Sequence, residues 1–338
     1  MNFKNSVLTR APTRICDIGG WTDTWFYPKG AVFSFCVDLY SYVRLVENAS
    51  KTIKIFAENL NQSAEILNLK KIKYNGVLDL LKAAIKRMNI ENGLDIFVKA
   101  DAPPGCGTGT SASVAVALIS ALAAYKRLNM DQNNIAVLAH KLETEELGLE
   151  SGVQDQYAAA YGGINFMEID YPKVKLVKIE INEKRILELE NQFILVYFGS
   201  RSSSKMHSAV ISNYKNRDMA TINSFKIMKQ CAYEMKDSIN SDIEMLGEIM
   251  NRNWEAQKSL HPLMINPLVN KAEKIAKING AIGFKCNGAG GGGSATILAE
   301  RGHEYQIKKK LIENGYTILP CKISFTGVRS YDQYGFIE

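Results

Sequence analysis

The stretch LDIFVKADAPPGCGTGTSAS (residues 94–113), followed by VAVALISALAAYKRL (114–128), decides how the chain is read. Leu94 to Ala100 alternates apolar and polar side chains around β-branched and aromatic residues, which predicts a strand. Val114 to Leu128 is rich in alanine and apolar residues, which predicts a buried helix. Between them, Gly105, Gly107 and Gly109 make a turn with no Cβ atoms to block a close approach. A glycine-rich turn between a strand and a helix presents backbone N–H groups and the positive end of the helix dipole. Phosphate oxygens suit such a place. Pro104, Gly105, Cys106, Gly107, Thr108, Gly109, Thr110, Ser111, Ala112 and Ser113 are the candidate phosphate contacts, the four hydroxyls being able to touch phosphate or a metal ion.

Two common phosphate loops do not fit. A Walker A loop needs Lys after its last Gly, where this chain has Thr110-Ser111. A dinucleotide fingerprint spaces its glycines G-x-G-x-x-G, whereas these alternate as G-x-G-x-G. A turn that is merely capped by Ser and Thr, with no ligand, stays open on this segment alone.

Working outward, Ala31 to Val46 predicts one long strand or a strand pair, and Ile53 to Glu58 continues the pattern. Gly76 to Met88 carries apolar residues at helical spacing, and a second helix is expected over Asn133 to Leu147. Phe193 to Phe198 (FILVYF) predicts a buried strand that opens a second half. Helices are expected within Ala209 to Met250, over Asn266 to Asn279 and near Glu304 to Asn314. A second glycine run, Asn287 to Ser294, precedes the strand Ala295 to Ala299. A division into residues 1–180 and 181–338 follows, with a soft boundary near 175–192.

The 41 basic and 35 acidic residues leave a net charge of +6, spread without a basic stripe. That argues against a nucleic-acid partner and is compatible with an anionic small molecule. The six cysteines show neither CxxC pairing nor metal-ligand spacing, the pattern of reduced thiols. No segment approaches a membrane span and the first residues lack a signal-peptide core. A cytoplasmic protein, possible as a homodimer, is therefore expected.

Three segments together resemble the GHMP kinases, the family of galactokinase, homoserine kinase and mevalonate kinase. They are Ala11 to Thr24 (APTRICDIGGWTDT), Pro103 to Ser113 (PPGCGTGTSAS) and Lys285 to Gly293 (KCNGAGGGG). Thr108, Thr110 and Asn287 depart from the family's usual Leu, Ser and Thr but stay small or polar. GGWTDT and Ser151 to Glu168 (SGVQDQYAAAYGGINFME) look like its sugar-1-kinase branch. Gly20-Trp21 replaces the Glu-His pair of galactokinase, which speaks against galactose.

The resemblance implies an α+β fold, with an N-terminal domain like domain 2 of ribosomal protein S5 and a ferredoxin-like C-terminal domain. It also implies ATP and Mg²⁺ as cofactors and a small sugar or sugar phosphate as partner. The anomeric hydroxyl would be phosphorylated, with D-glycero-D-manno-heptose 7-phosphate as first candidate and fucose or another free sugar as alternative. A catalytically silent nucleotide- or sugar-binding protein on the same fold is the alternative of another class. Asp155 matches the family's general base, against a loop Asp that caps the helix starting near Gln156. Arg14 matches the Arg beside the reacting groups, and Ser111 with Glu143 the Mg²⁺ ligands. Asp17, Gly20, Trp21, Thr22, Asp23, Gly152, Gln154, Asp155, Gly290 and Gly291 are the expected acceptor contacts. Arg201 and Lys205, in RSSSK, would hold a distal phosphate if the acceptor carries one. His140 and His207 read as structural.

Overall fold

The computed structural model describes residues 6–91, 93–201, 204–332 and 335–337. In chain order the elements are β1 (Ser6–Ile18), β2 (Lys29–Glu47), β3 (Ile53–Ala57), β4 (Gln62–Ile66), α1 (Asp79–Arg87) and β5 (Leu94–Ala100). Next come α2 (Thr110–Tyr125), α3 (Gln132–Lys141), a single π-helical turn (Leu142–Glu146), α4 (Gln154–Tyr161), β6 (Ile164–Asp170) and β7 (Lys173–Lys178). The second half holds α5 (Glu183–Gln192), β8 (Phe193–Gly199), α6 (Ser204–Lys215), α7 (Met219–Ser238), α8 (Ile243–Lys258) and α9 (Pro267–Ile278). It closes with β9 (Ala281–Cys286), β10 (Gly293–Ala299), α10 (Glu304–Glu313), β11 (Thr317–Leu319), β12 (Arg329–Asp332) and β13 (Gly335–Ile337).

Strands β1–β7 form a nine-stranded sheet together with β12 and β13, so the chain's last strands return to the sheet of its first half. The other sheet runs β11-β8-β10-β9 and is antiparallel throughout. With α6–α9 between β8 and β9, and α10 between β10 and β11, that order is the ferredoxin-like arrangement. The α+β class is as expected.

Alternation along the strands explains which face is buried. Val43 and Leu45 of β2, with Ile96 and Val98 of β5, face Val116, Ile119 and Leu122 of α2. This core excludes water from the back of α2, the helix that follows the glycine turn, at roughly 25 cal/mol for each Å² of apolar surface buried. On the other side of β2, Phe33 and Phe35 meet Phe193 and Leu195 of β8 and Leu246 and Met250 of α8. That shared cluster binds the two halves through apolar contact. Trp21 and Phe26 join Met206, Val210, Phe225, Leu260 and Met264 in a further cluster beneath the candidate site.

A buried ion pair crosses between the sheets: Lys285 Nζ of β9 lies 3.3 Å from Asp17 Oδ1 of β1, with side chains 0% and 1% exposed. The Gly288 N–H also donates to Asp17 Oδ1 at 3.0 Å. Replacing Lys285 by Met would strand a buried carboxylate. The expected loss is about 3–5 kcal/mol of unfolding free energy, read from chemical denaturation; a loss below about 1 kcal/mol would contradict the pair's structural role.

Candidate active site

The site is assembled where β1 stops pairing regularly. Ile15 pairs with Phe35 but Ile18 with Phe33, so β1 holds one extra residue between them. Cys16 takes φ 51° there. A bulge of this kind re-aims side chains, and here it carries Arg14 and Asp17 to the loop. The Arg14 N–H donates to the Thr108 carbonyl at 3.0 Å, and the Arg14 guanidinium donates to the Gly107 carbonyl. Arg14 Nε and Nη2 each lie 2.8 Å from Asp155 Oδ1. Gly109 packs so closely on Asp155 that a Cβ there would sit 3.0 Å from its carboxyl carbon.

Asp155 occupies the first turn of α4 and does not cap it. Asp23 satisfies that end instead, its Oδ2 accepting from the Gln154 N–H at 3.0 Å. Gly152 is required beside it, because a Cβ would fall 2.0 Å from Asp23 Oδ2. Glu143, buried in the π-helical turn, accepts from Ser151 Oγ (2.6 Å), Gln156 Nε2 (2.7 Å) and Ser111 Oγ (3.3 Å). The turn brings Glu143 next to Ser111 at the start of α2, two hard oxygen donors side by side, which fits a nucleotide-bound Mg²⁺.

Burial pushes the Asp23 carboxyl up to about 6, against the pull of the Gln154 N–H. Burial likewise raises Asp155, only partly offset by Arg14, and raises Glu143. For Arg14, burial opposes the charge but Asp155, Asp17 and Asp23 outweigh it and hold the guanidinium above its ordinary value.

Two cavities flank the loop. One, about 130 Å³, is lined by Arg14, Asp17, Trp21, Asp23, Gly152, Gln154 and Asp155, with Trp25, Glu150, His207 and Ile211 farther out. The other, about 440 Å³, has Pro104, Gly105, Thr110, Ser111 and Val114 on one wall and residues of β3, β5 and α1 on the other. The Trp21 backbone has φ 78°, its indole donates to the Ala289 carbonyl at 3.3 Å, and its ring meets His207 edge-on with centroids 5.0 Å apart.

Several expected contacts lie elsewhere. Ser113 Oγ donates to the Ala11 carbonyl (2.8 Å) and buried Thr108 shares its hydroxyl with Thr110 (3.2 Å). Cys106 is buried among the core residues between the sheets. Thr22 Oγ1 donates to the carbonyls of Gly19 and Ala31. Gly20 packs on Asp17, where a Cβ would fall 2.4 Å from Oδ2. Gly290 and Gly291 face Gln257, Met264 and Met206; Gly288 and Ala289 line the cavity instead. Arg201 Nε donates to the Gly292 carbonyl at 3.1 Å and Nη2 to that of Asn287 at 3.4 Å. Lys205 is exposed on α6, and Ser202 and Ser203 of the same cluster lie outside the described residues. Trp25, Glu150, His207 and Ile211 were not expected at the cavity. Their positions in the chain carry no motif, and tertiary packing alone unites them.

A glycine turn at a helix N-terminus, a buried carboxylate–guanidinium couple and two neighbouring cavities are parts that a kinase of small molecules requires. Residues 74–163 match the GHMP kinases N terminal domain and residues 235–317 the GHMP kinases C terminal region. The chain belongs to the GHMP kinase family. The D-glycero-alpha-D-manno-heptose 7-phosphate kinase of Campylobacter jejuni is 29% identical over 96% of this chain and 99% of that protein. The bifunctional fucokinase/GDP-fucose pyrophosphorylase of Arabidopsis thaliana is 28% identical over 89% of this chain, which spans 30% of that protein. The fold is shared with a D-glycero-D-manno-heptose 1-phosphate kinase of Bacteroides thetaiotaomicron, at TM-score 0.79, 24% identity and coverage of 96% and 98%. No helix among the described residues is long and apolar enough to cross a membrane.

The raised Asp23 carboxyl predicts a signed pH effect. Its folded form holds a proton more tightly than the unfolded chain, whose carboxyl titrates near 4. Its contribution to stability is therefore complete below about pH 4 and is lost as pH rises through about 6. Unfolding free energies of the protein and of Asp23→Asn are to be measured from pH 4 to 7. Over that range the difference between them is expected to move by roughly 2.5 kcal/mol in the variant's favour. A difference that does not change with pH would refute the shift.

Proposed function

We propose that this enzyme transfers the γ-phosphate of ATP to the anomeric hydroxyl of a sugar bound in the smaller cavity, with the nucleotide in the larger one. The observation that carries the reading is the Arg14–Asp155 couple, 2.8 Å across, lying against the glycine turn between both cavities. Phosphoryl transfer asks for positioning and charge stabilisation more than covalent chemistry. The N–H groups of the turn and the N-terminus of α2 receive phosphate oxygens. Asp155 accepts the proton of the acceptor hydroxyl as the bond to phosphorus forms. Arg14 fixes the orientation of that carboxylate and faces the charge that develops on the transferred group. Asp23 and Gln154, behind Asp155, orient the ring hydroxyls. Ser111 and Glu143 would hold Mg²⁺, which supplies neutralisation of phosphate charge when bound.

Two acceptors are in view. Heptose 7-phosphate is suggested by the name of the C. jejuni relative, and a free sugar by the likeness to fucokinase. They differ in whether a second phosphate must be held at the far end of the cavity.

Asp155→Asn is expected to lower kcat by about 10²- to 10⁴-fold while ATP affinity, from equilibrium titration, changes little. Full turnover in that variant would remove Asp155 from the mechanism. Absence of MgATP-dependent ADP release on every sugar and sugar phosphate tried would overturn the sugar-kinase reading itself.

A further inference from the structure

The lining of the acceptor cavity holds more acidic than basic side chains. Four carboxylates line the cavity, from Asp17, Asp23, Glu150 and Asp155. Among the described lining residues the one permanent cation is Arg14, and its guanidinium is spent on Asp155 and the Gly107 carbonyl. His207 is the other basic group there. Burial first, and Arg201 second, lower its tendency to hold a proton against the opposing pull of Glu150, and its ring edge meets Trp21.

The cations that could have served a distal phosphate are turned elsewhere. Arg201 is absent from the cavity lining and donates to two carbonyls of the second glycine run. On α6, His207 and Ile211 face the cavity, one turn apart. Lys205 precedes His207 by two residues, about 200° around the helix, and is exposed. Lys215 lies over the outer ring of Trp25, 5.1 Å from its centroid, and does not line the cavity. At the mouth stands Glu150, exposed, accepting a hydrogen bond from the Trp25 indole N–H.

Trp21, Trp25 and Phe26 give the apolar surface that the C–H face of a pyranose packs on. The carboxylates accept hydrogen bonds, which hydroxyl groups donate and a phosphate dianion does not.

We propose that the acceptor is an uncharged monosaccharide without a phosphate group, and that Glu150 is a specificity-determining residue that disfavours phosphorylated sugars. This rests on the sugar-kinase reading given above.

The test is the rate of ADP release with MgATP on matched pairs: mannose against mannose 6-phosphate, and D-glycero-D-manno-heptose against its 7-phosphate, with L-fucose alongside. For the unmodified enzyme, kcat/KM for the free sugar is expected to exceed that for its phosphate by at least about tenfold, the scale of one close like-charge contact. In Glu150→Gln and Glu150→Lys that ratio should move toward the phosphate, further in the Lys variant and by about tenfold or more. Turnover of L-fucose alone would also support an uncharged acceptor. Glu150 is exposed, and thermal melts of both variants check that the fold is kept. A wild-type preference for either phosphate overturns the inference and leaves the sugar-kinase reading standing. So does a ratio that neither variant moves. Turnover of none of the five, by protein that still binds ATP, overturns both.

Discussion

The Asp17–Lys285 pair sets the geometry on which the rest depends. Asp17 sits on the bulge of β1 in the first sheet, and Lys285 projects from β9 in the second. Two charges so buried are stable only if each finds its partner and further donors. Asp17 takes the Gly288 N–H as well, and Asn287, wholly buried, accepts from the Cys16 N–H at 2.9 Å and from Thr296 Oγ1 at 2.9 Å. The first and third motifs are thereby tied at fixed register. The first glycine run is held between them, since the Arg14 backbone bonds Thr108 and Gly107 packs against the Asn287 carbonyl. The three segments, far apart in the chain, converge because a buried acid on one sheet needs the base on the other.

Most of the fold was legible where the residues obey one rule at a time. β5 falls on Leu94–Ala100 as expected, β2 is the one long strand, and β8 covers the apolar run Phe193–Phe198, though α5 precedes it in the second half. In each, alternation or a β-branched run agrees with the burial. β1 was not legible as a strand, because its second half buries Thr13, Arg14 and Asp17. Those polar residues are buried to build the site, and they break the alternation that would have announced it. β4, β6, β7 and α5 were likewise unread. The return of β12 and β13 to the first sheet depends on pairing with β1 across the whole chain, which no local pattern encodes.

The two glycine runs could be singled out because repeated glycine leaves a mark in the sequence, whereas Asp155, Glu143 and Asp23 are marked only by the resemblance of their segments to the GHMP kinases. What their neighbours do could not. The hydroxyls of Ser113, Thr108 and Thr22 look alike in sequence to that of Ser111, yet three serve the backbone or each other and one faces Glu143. The π-helical turn that aims Glu143 has no compositional signal, and neither has the left-handed backbone of Trp21. Such strain is tolerated where surrounding structure over-determines it, here by the indole's bond to Ala289 and its contact with His207.

Charge balance connects these parts to reactivity. Asp17 is shared between Lys285 and Arg14, while Asp155 lies in the field of Arg14 and, more weakly, of Arg201. A second guanidinium in contact with Asp155 would hold its carboxyl deep in the ionised range, and Asp155 would then be a weaker acceptor for a hydroxyl proton. Burial keeps the Asp155 carboxyl's affinity for a proton up, while its bonds to Arg14 keep its orientation. The bulge in β1 lets Arg14 reach Asp155 of α4 while Asp17 reaches Lys285 of β9, so one short strand segment supplies both the anchor between the sheets and the partner of the Asp155 carboxylate.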